Sequence, residues 1–130
     1  MSQIDFFRNR VESTFSPMDY MQASKQNIDE YVLLDVRNGP PHLKREKIKD
    51  AIEISQAEIA NRLSEIPKDK VIVLYCWDVW CNTAAKAAII LLENGYKVKE
   101  LSGGIAAWKT MDFPTTPLTS SNPPIEECGC

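Results

Sequence analysis

Cys76 and Cys81, which bracket the stretch "CWDVWC", are the side chains of this 130-residue chain best suited to covalent chemistry. A thiolate is the nucleophilic form of cysteine, and a thiol's pKa falls where backbone N–H groups or a helix N-terminus face the sulfur. Cys76 follows "VIVLY" (Val71 to Tyr75) directly, and an apolar helical pattern closing at "ENGY" begins just after Cys81. A strand-to-helix loop of this kind aims the backbone donors of residues 77 to 82 at one sulfur, a cradle for a thiolate or a persulfide anion. Trp77, Asp78, Val79, Trp80, Asn82 and Thr83 supply that loop. The competing reading makes Cys76 a small buried residue that finishes the strand.

Cys81 stands at the start of the helix, within reach of a sulfur carried on Cys76. It is a candidate resolving or relay thiol, against the plainer reading of a first-turn residue. Trp77 and Trp80 either form an apolar rim that favours an organic or protein persulfide, or pack the loop against the domain. Asp78 opposes thiolate formation unless its carboxylate points away. His42, the only histidine, reads as a loop residue rather than a catalytic base.

Alternating elements must position this loop. Ile4, Phe7, Val11 and Phe15 recur at helical spacing, which predicts an amphipathic N-terminal helix over residues 1–14. "SPMD" is a helix start: Ser16 caps, Pro17 suits the first position and Asp19 faces free N–H groups. "YVLLDV" (Tyr31 to Val36) and "AIEIS" read as strands, and Ser55 with Glu58 forms a capping box for a helix that buries Ile59, Leu63 and Ile66. "VIVLY" is apolar on both faces, as a central strand covered on both sides must be. "YKVKEL" is a further strand and "GGIAAWK" opens a last helix. Strand–helix alternation predicts an α/β domain with a mainly parallel sheet and helices on both faces, whose ligands sit at the carboxyl ends of the strands.

Composition narrows the function classes. An apolar share of 44% with 25% charged residues is that of one ordinary globular domain, and a net charge of −3 with a pI near 5.2 gives nucleic acid or an anionic membrane nothing to bind. The one basic cluster, "HLKREKIK", reads as a solvated loop. The N-terminal residues mix charges into their apolar pattern, unlike a signal peptide, and the longest apolar run, Ala87 to Leu92, is too short to span a bilayer. A cytoplasmic location follows as the expectation, with the four cysteines reduced and reactive or metal-binding rather than structural.

"YVLLDVR", "IKDAIEIS", "VIVLYC" and "LSGGIAAW", in this order, resemble the successive signatures of a rhodanese-homology domain over roughly residues 15–110. The resemblance implies a single doubly wound α/β domain and a sulfurtransferase activity. Cys76 would take a sulfane sulfur as a persulfide from a small persulfide, a polysulfide or a sulfur-carrying protein, and pass it to a thiol acceptor. No cofactor is implied. Asp35 and Arg37 match the "D-V-R" signature and are expected to orient loops beside the site.

The departures from that family pattern carry their own expectations. Members that use thiosulfate have an arginine five residues after the cysteine and a glycine between; here Cys81 takes that position, and no Arg or Gly lies between Cys76 and Thr83. Without a bidentate cation for an oxyanion, thiosulfate is a poor donor, and phosphatase or arsenate reductase readings fall for the same reason. Lys47 stands where a histidine is common. A second class of function therefore stays open, a redox or protein-docking module that keeps the fold without turnover.

The remaining segment, residues 111–130, is rich in Pro, Ser and Thr and ends in "CGC". It reads as an extended tail that could bring Cys128 or Cys130 to the Cys76 loop, or as a loose end with incidental thiols. Cys76, Cys81, Cys128 and Cys130 could also supply four thiolates to zinc, but their spacings are not those of a zinc knuckle or ribbon, and no metal is expected.

Overall fold

A computed structural model describes residues 2–118. Its centre is a five-stranded, fully parallel sheet in the order β1-β6-β5-β2-β4, made of β1 (Thr14–Phe15), β2 (Tyr31–Asp35), β4 (Ile52–Glu53), β5 (Val71–Tyr75) and β6 (Lys97–Leu101). The helices are α1 (Gln3–Ser13), α2 (Pro17–Gln26), α3 (Thr83–Glu93) and α4 (Gly104–Thr110). The expected α/β architecture with a parallel central sheet is the one observed.

Period-two alternation in β5 explains its central place. Ile72 and Leu74 point to one face and pack with Leu34, Ile59, Ala84, Ala87 and Leu91. Val73 and Tyr75 point to the other and pack with Tyr20, Leu33, Ile105 and Trp108. These four of the five β5 side chains are inaccessible to solvent, which requires a strand with no polar face.

The start of α2 follows its sequence closely: Ser16 Oγ accepts from Asp19 N at 3.0 Å and Asp19 Oδ2 accepts from Ser16 N at 3.2 Å, a complete capping box. Ser55 and Glu58 carry the same signature and do otherwise. The segment is two 3-10 turns, Gln56–Asn61 and Leu63–Glu65, and Ser55 makes no side-chain cap bond. Its first N–H groups are already taken, Gln56 N by Val36 O at 3.0 Å and Ala57 N by Asn38 Oδ1 at 3.1 Å, while Glu58 turns to Arg62. A long-range tether replaces the local cap, and Ile59 and Ile66 are still buried as the apolar pattern requires.

Two segments differ from their reading as solvent-facing chain. Glu46–Ile48 of the basic cluster is a strand, β3, that pairs antiparallel with β7 (Thr115–Pro117). Ile48 is buried and Lys47 Nζ donates to Ala51 O at 2.7 Å, so the cluster is partly absorbed into the fold. The first part of the Pro-rich tail, up to residue 118, is held in place. Phe113 packs edge-on against Trp108 with ring centroids 5.0 Å apart, and Trp108 Nε1 donates to Pro114 O at 2.8 Å. Cys128 and Cys130 lie outside the described residues. Among the described residues no helix is long and apolar enough to cross a membrane.

Candidate active site

Cys76 is the first residue beyond the central strand and is only 3% exposed. Its backbone is fixed from two sides. Val36 N donates to Tyr75 O at 3.1 Å, and Ile105 N and Ala106 N at the start of α4 donate to the carbonyls of Cys76 and Trp77 at 3.0 and 3.1 Å. That second contact requires glycine. Gly104 has φ +61°, and a Cβ there would overlap the Cys76 carbonyl and lie 2.9 Å from the carbonyl carbon of Trp77. A Gly104→Ala substitution therefore combines backbone strain with a clash against main chain, and it is expected to cost about 1–3 kcal/mol in urea unfolding and to displace the Cys76 loop.

Residues 78–81 form a turn that brings the loop back on itself. Asp78 Oδ1 accepts from Val79 N at 2.6 Å, and Asp78 O accepts from Cys81 N at 3.1 Å. The turn returns Cys81 to Cys76, and the two are joined in a disulfide with their Cα atoms 6.6 Å apart. Thr83 donates its hydroxyl to Cys81 Sγ at 3.1 Å. Of the expected backbone cradle, the Val79 and Cys81 amides are thus committed to the turn. Among the described residues none accepts from the N–H of Trp77, Asp78, Trp80 or Asn82, and Asn82 makes no side-chain cap bond to α3.

The two tryptophans separate. Trp77 lies over the Arg37 guanidinium, whose Cζ is 4.6 Å from the ring centroid, so it anchors the loop. Trp80 and Val79 project outward, 71% and 81% exposed, and form the rim.

Asp35 and Arg37 bring the loops of three strands together, and both are 2% exposed. Arg37 Nε donates to both Asp35 oxygens at 3.0 Å, and Arg37 Nη2 donates to Asp35 Oδ2 at 2.7 Å and to Glu46 O at 2.8 Å. Tyr75 donates its hydroxyl to Asp35 Oδ2 at 2.9 Å and accepts from Ile48 N at 3.0 Å. Burial, and then the Asp35 charge, push the Tyr75 hydroxyl far above its ordinary pKa, so it remains a donor at any physiological pH. The network joins β2, β3 and β5 beneath Trp77 and has no spare cation to offer a substrate. His42, in the 3-10 turn Pro41–Leu43, is exposed and does not line the sulfur cavity.

A cavity of about 270 Å³ opens over the two sulfurs, lined on one side by Asp78, Val79 and Asn82 and on the other by Glu100, Ser102, Gly103 and Gly104. Asp78 is therefore one of the residues lining the site, with its Oδ1 held by Val79 N. Glu100 and the Ser102–Gly104 turn escaped the sequence reading. The available signal was a single acidic residue at the carboxyl end of the strand beside β5, and its relevance depends on a register that a sequence alone does not reveal. A larger cavity of about 760 Å³ between Asn38, Lys44, Glu53 and Thr116 holds no thiol. Among the described residues no three His, Cys, Asp or Glu side chains are placed to share a metal.

The chain is similar to several known proteins. A sulfurtransferase of Allochromatium vinosum is 34% identical over 87 residues, which are 66% of this chain and 78% of that protein. An HTH-type transcriptional regulator of Mycobacterium tuberculosis is 36% identical over 92 residues, 69% of this chain but 39% of the regulator, so the chain spans well under half of that relative. A full-length protein of Lactobacillus plantarum superposes with a TM-score of 0.81 at 31% identity, over 89% of this chain and 97% of its own. With the Rhodanese-like domain model matching residues 20–111, most of its length, the chain belongs to the rhodanese-like family.

Proposed function

We propose that this protein is a sulfurtransferase that carries a sulfane sulfur on Cys76. The observation that carries the reading is the place of Cys76: at the carboxyl end of the central parallel strand, in a loop several of whose amides have no acceptor among the described residues, and lining a cavity of about 270 Å³. In the first step the Cys76 thiolate attacks the outer sulfur of a donor R–S–S–H. A new S–S bond forms on Cys76, the donor S–S bond breaks, and the R–S⁻ that leaves with the bonding pair takes up a proton. In the second, an acceptor thiolate attacks the outer sulfur, gains it as a persulfide and releases Cys76 as thiolate. The backbone donors stabilise the anionic sulfur in both steps.

Cys81 gives the loaded enzyme a second exit. Its thiolate attacks Cys76 Sγ, expels HS⁻ and closes the Cys76–Cys81 disulfide, the bond present in the structure. Two equivalents of a low-molecular-weight thiol, oxidised in turn to their own disulfide, restore the free pair. Cys81→Ser is expected to retain transfer to an external thiol while losing the sulfide release seen without an acceptor. Sulfide assay of preloaded protein checks this, and wild-type release from the variant excludes the role.

The alternative, a redox or docking module without turnover, draws on the same disulfide and on the exposed Val79 and Trp80. Loading with a persulfide and then adding an acceptor thiol separates the two readings: catalytic discharge supports the transferase, and a disulfide that closes without discharge supports the module.

A further inference from the structure

The cavity over the sulfurs is acidic. Asp78 and Glu100 line it, and no lysine or arginine does. Glu100 is paired in register with Leu74 of β5, two residues before Cys76, and with Thr14 of β1. In-register neighbours share a face, so its carboxyl stands with Leu74 and Val98 on the apolar face covered by α3. Half-buried there, it is desolvated, which lifts its pKa above the ordinary value. Among the described residues no hydrogen bond or ion pair reaches it.

Two cations of neighbouring segments are engaged elsewhere. Lys99, next in the strand, faces the opposite side, where its Nζ donates to Glu12 O at 2.8 Å and lies 4.7 Å from the Phe15 ring centroid. Arg37 is enclosed by Asp35, Glu46 O and Trp77. An unpaired, partly desolvated carboxyl is costly to keep, and an apolar side chain would suit the Leu74–Val98 face better. What Glu100 faces instead is the space a sulfur donor must enter.

We propose that Glu100 is the charge-selecting residue of this pocket: with Asp78 it turns away anionic sulfur donors such as thiosulfate and admits neutral or cationic small persulfides, of which an aminothiol persulfide is the type. The substrate class rests on the sulfur-carrying role of Cys76, whereas the charge selection at that thiol does not. A pocket field acts on a charged reagent before any bond forms, and in a low-dielectric cleft one added or removed charge changes encounter rates by about tenfold or more.

The test uses methanethiosulfonate reagents, with which a thiolate forms a mixed disulfide and expels methanesulfinate. Reduced full-length Cys81→Ser protein is treated with the cationic trimethylammonioethyl and the anionic sulfonatoethyl reagents, and peptide mapping isolates the rate at Cys76 from those at Cys128 and Cys130. The cation-to-anion rate ratio is expected to fall about tenfold on adding Glu100→Gln, to be kept by Glu100→Asp, and to shrink with added salt in the parent. An unchanged ratio in Glu100→Gln overturns the assignment. In parallel, the wild-type protein is offered cysteamine persulfide and thiosulfate, and sulfur gained by Cys76 is read by mass. Preference for the aminothiol persulfide that weakens in Glu100→Gln supports the substrate class. Uptake from neither overturns the substrate class together with the sulfur-carrying role, a failure the thiosulfonate ratio tells apart.

Discussion

A Cys76→Ser variant is expected to lose sulfur uptake and transfer by a factor of roughly 10³ or more, the scale of loss when an enzyme's nucleophile is removed. The magnitude follows from chemistry: a serine hydroxyl at the same place is not ionised at neutral pH, is a far weaker nucleophile toward sulfur and cannot form a persulfide. The substitution should leave the fold in place, since it exchanges one small side chain for another at the end of a strand whose backbone is held by Ile105 N and Val36 N. Urea unfolding of the fully reduced proteins checks that the loss is chemical. An equal loss of transfer from Cys81→Ser with Cys76 intact would move the nucleophile along the loop.

Removing one half of the buried ion pair has the largest effect on stability. Asp35→Ala leaves the buried Arg37 guanidinium with Glu46 O and the Trp77 and Tyr75 rings as its remaining partners, and deprives the Tyr75 hydroxyl of its acceptor. Breaking such a pair costs about 3–5 kcal/mol because a charge stays buried without compensation. In a domain of this size that lowers Tm by roughly 10–20 °C. Replacing both partners, as Asp35→Leu with Arg37→Met, is expected to recover a large part of the loss in thermal unfolding, because the penalty belongs to the orphaned charge more than to the missing attraction. Asp35→Ala should also reduce sulfur loading at temperatures where the protein is folded, since Arg37 supports Trp77 and Trp77 begins the loop. Full loading with lowered stability would confine the pair to a structural role.

The parts of the fold legible in the sequence are those decided by neighbours in the chain. Ser16 and Asp19 find each other three residues apart, so their capping box is both written and formed. The alternating apolar pattern of Val71–Tyr75 has one economical solution, burial on both faces, and β5 takes it. Ser55 and Glu58 show where such reading stops: Gln56 N and Ala57 N are claimed by Val36 and Asn38 from the far side of a loop, Glu58 N turns to Ser55 O, and the Glu58 carboxylate turns to Arg62, a competition that local pattern does not display. The docking of Phe113 and Thr115–Pro117 onto Trp108 and β3 is likewise a matter of tertiary partners, and proline content alone points the other way.

The site divides in the same manner. Cys76 is legible because strand end, loop and helix start are contiguous, and the close approach of Cys81 follows from a short turn around Asp78. Glu100 becomes part of the site only once β6 is placed beside β5 with Glu100 opposite Leu74. Trp77 and Trp80 look equivalent in "CWDVWC", yet a buried guanidinium encoded forty residues upstream captures one and leaves the other in solvent. The missing loop arginine and the acidic cavity converge on one expectation, a pocket that disfavours oxyanion donors.

The most direct test of the central claim is peptide mapping of the reduced full-length protein after brief exposure to an aminothiol persulfide, followed by an acceptor thiol. The account predicts one added sulfur atom on the peptide that contains Cys76, absent in Cys76→Ser and removed by the acceptor as the free Cys76 thiol returns. Added sulfur confined to Cys128 or Cys130, or a Cys76 that stays unmodified through exposure, would contradict it.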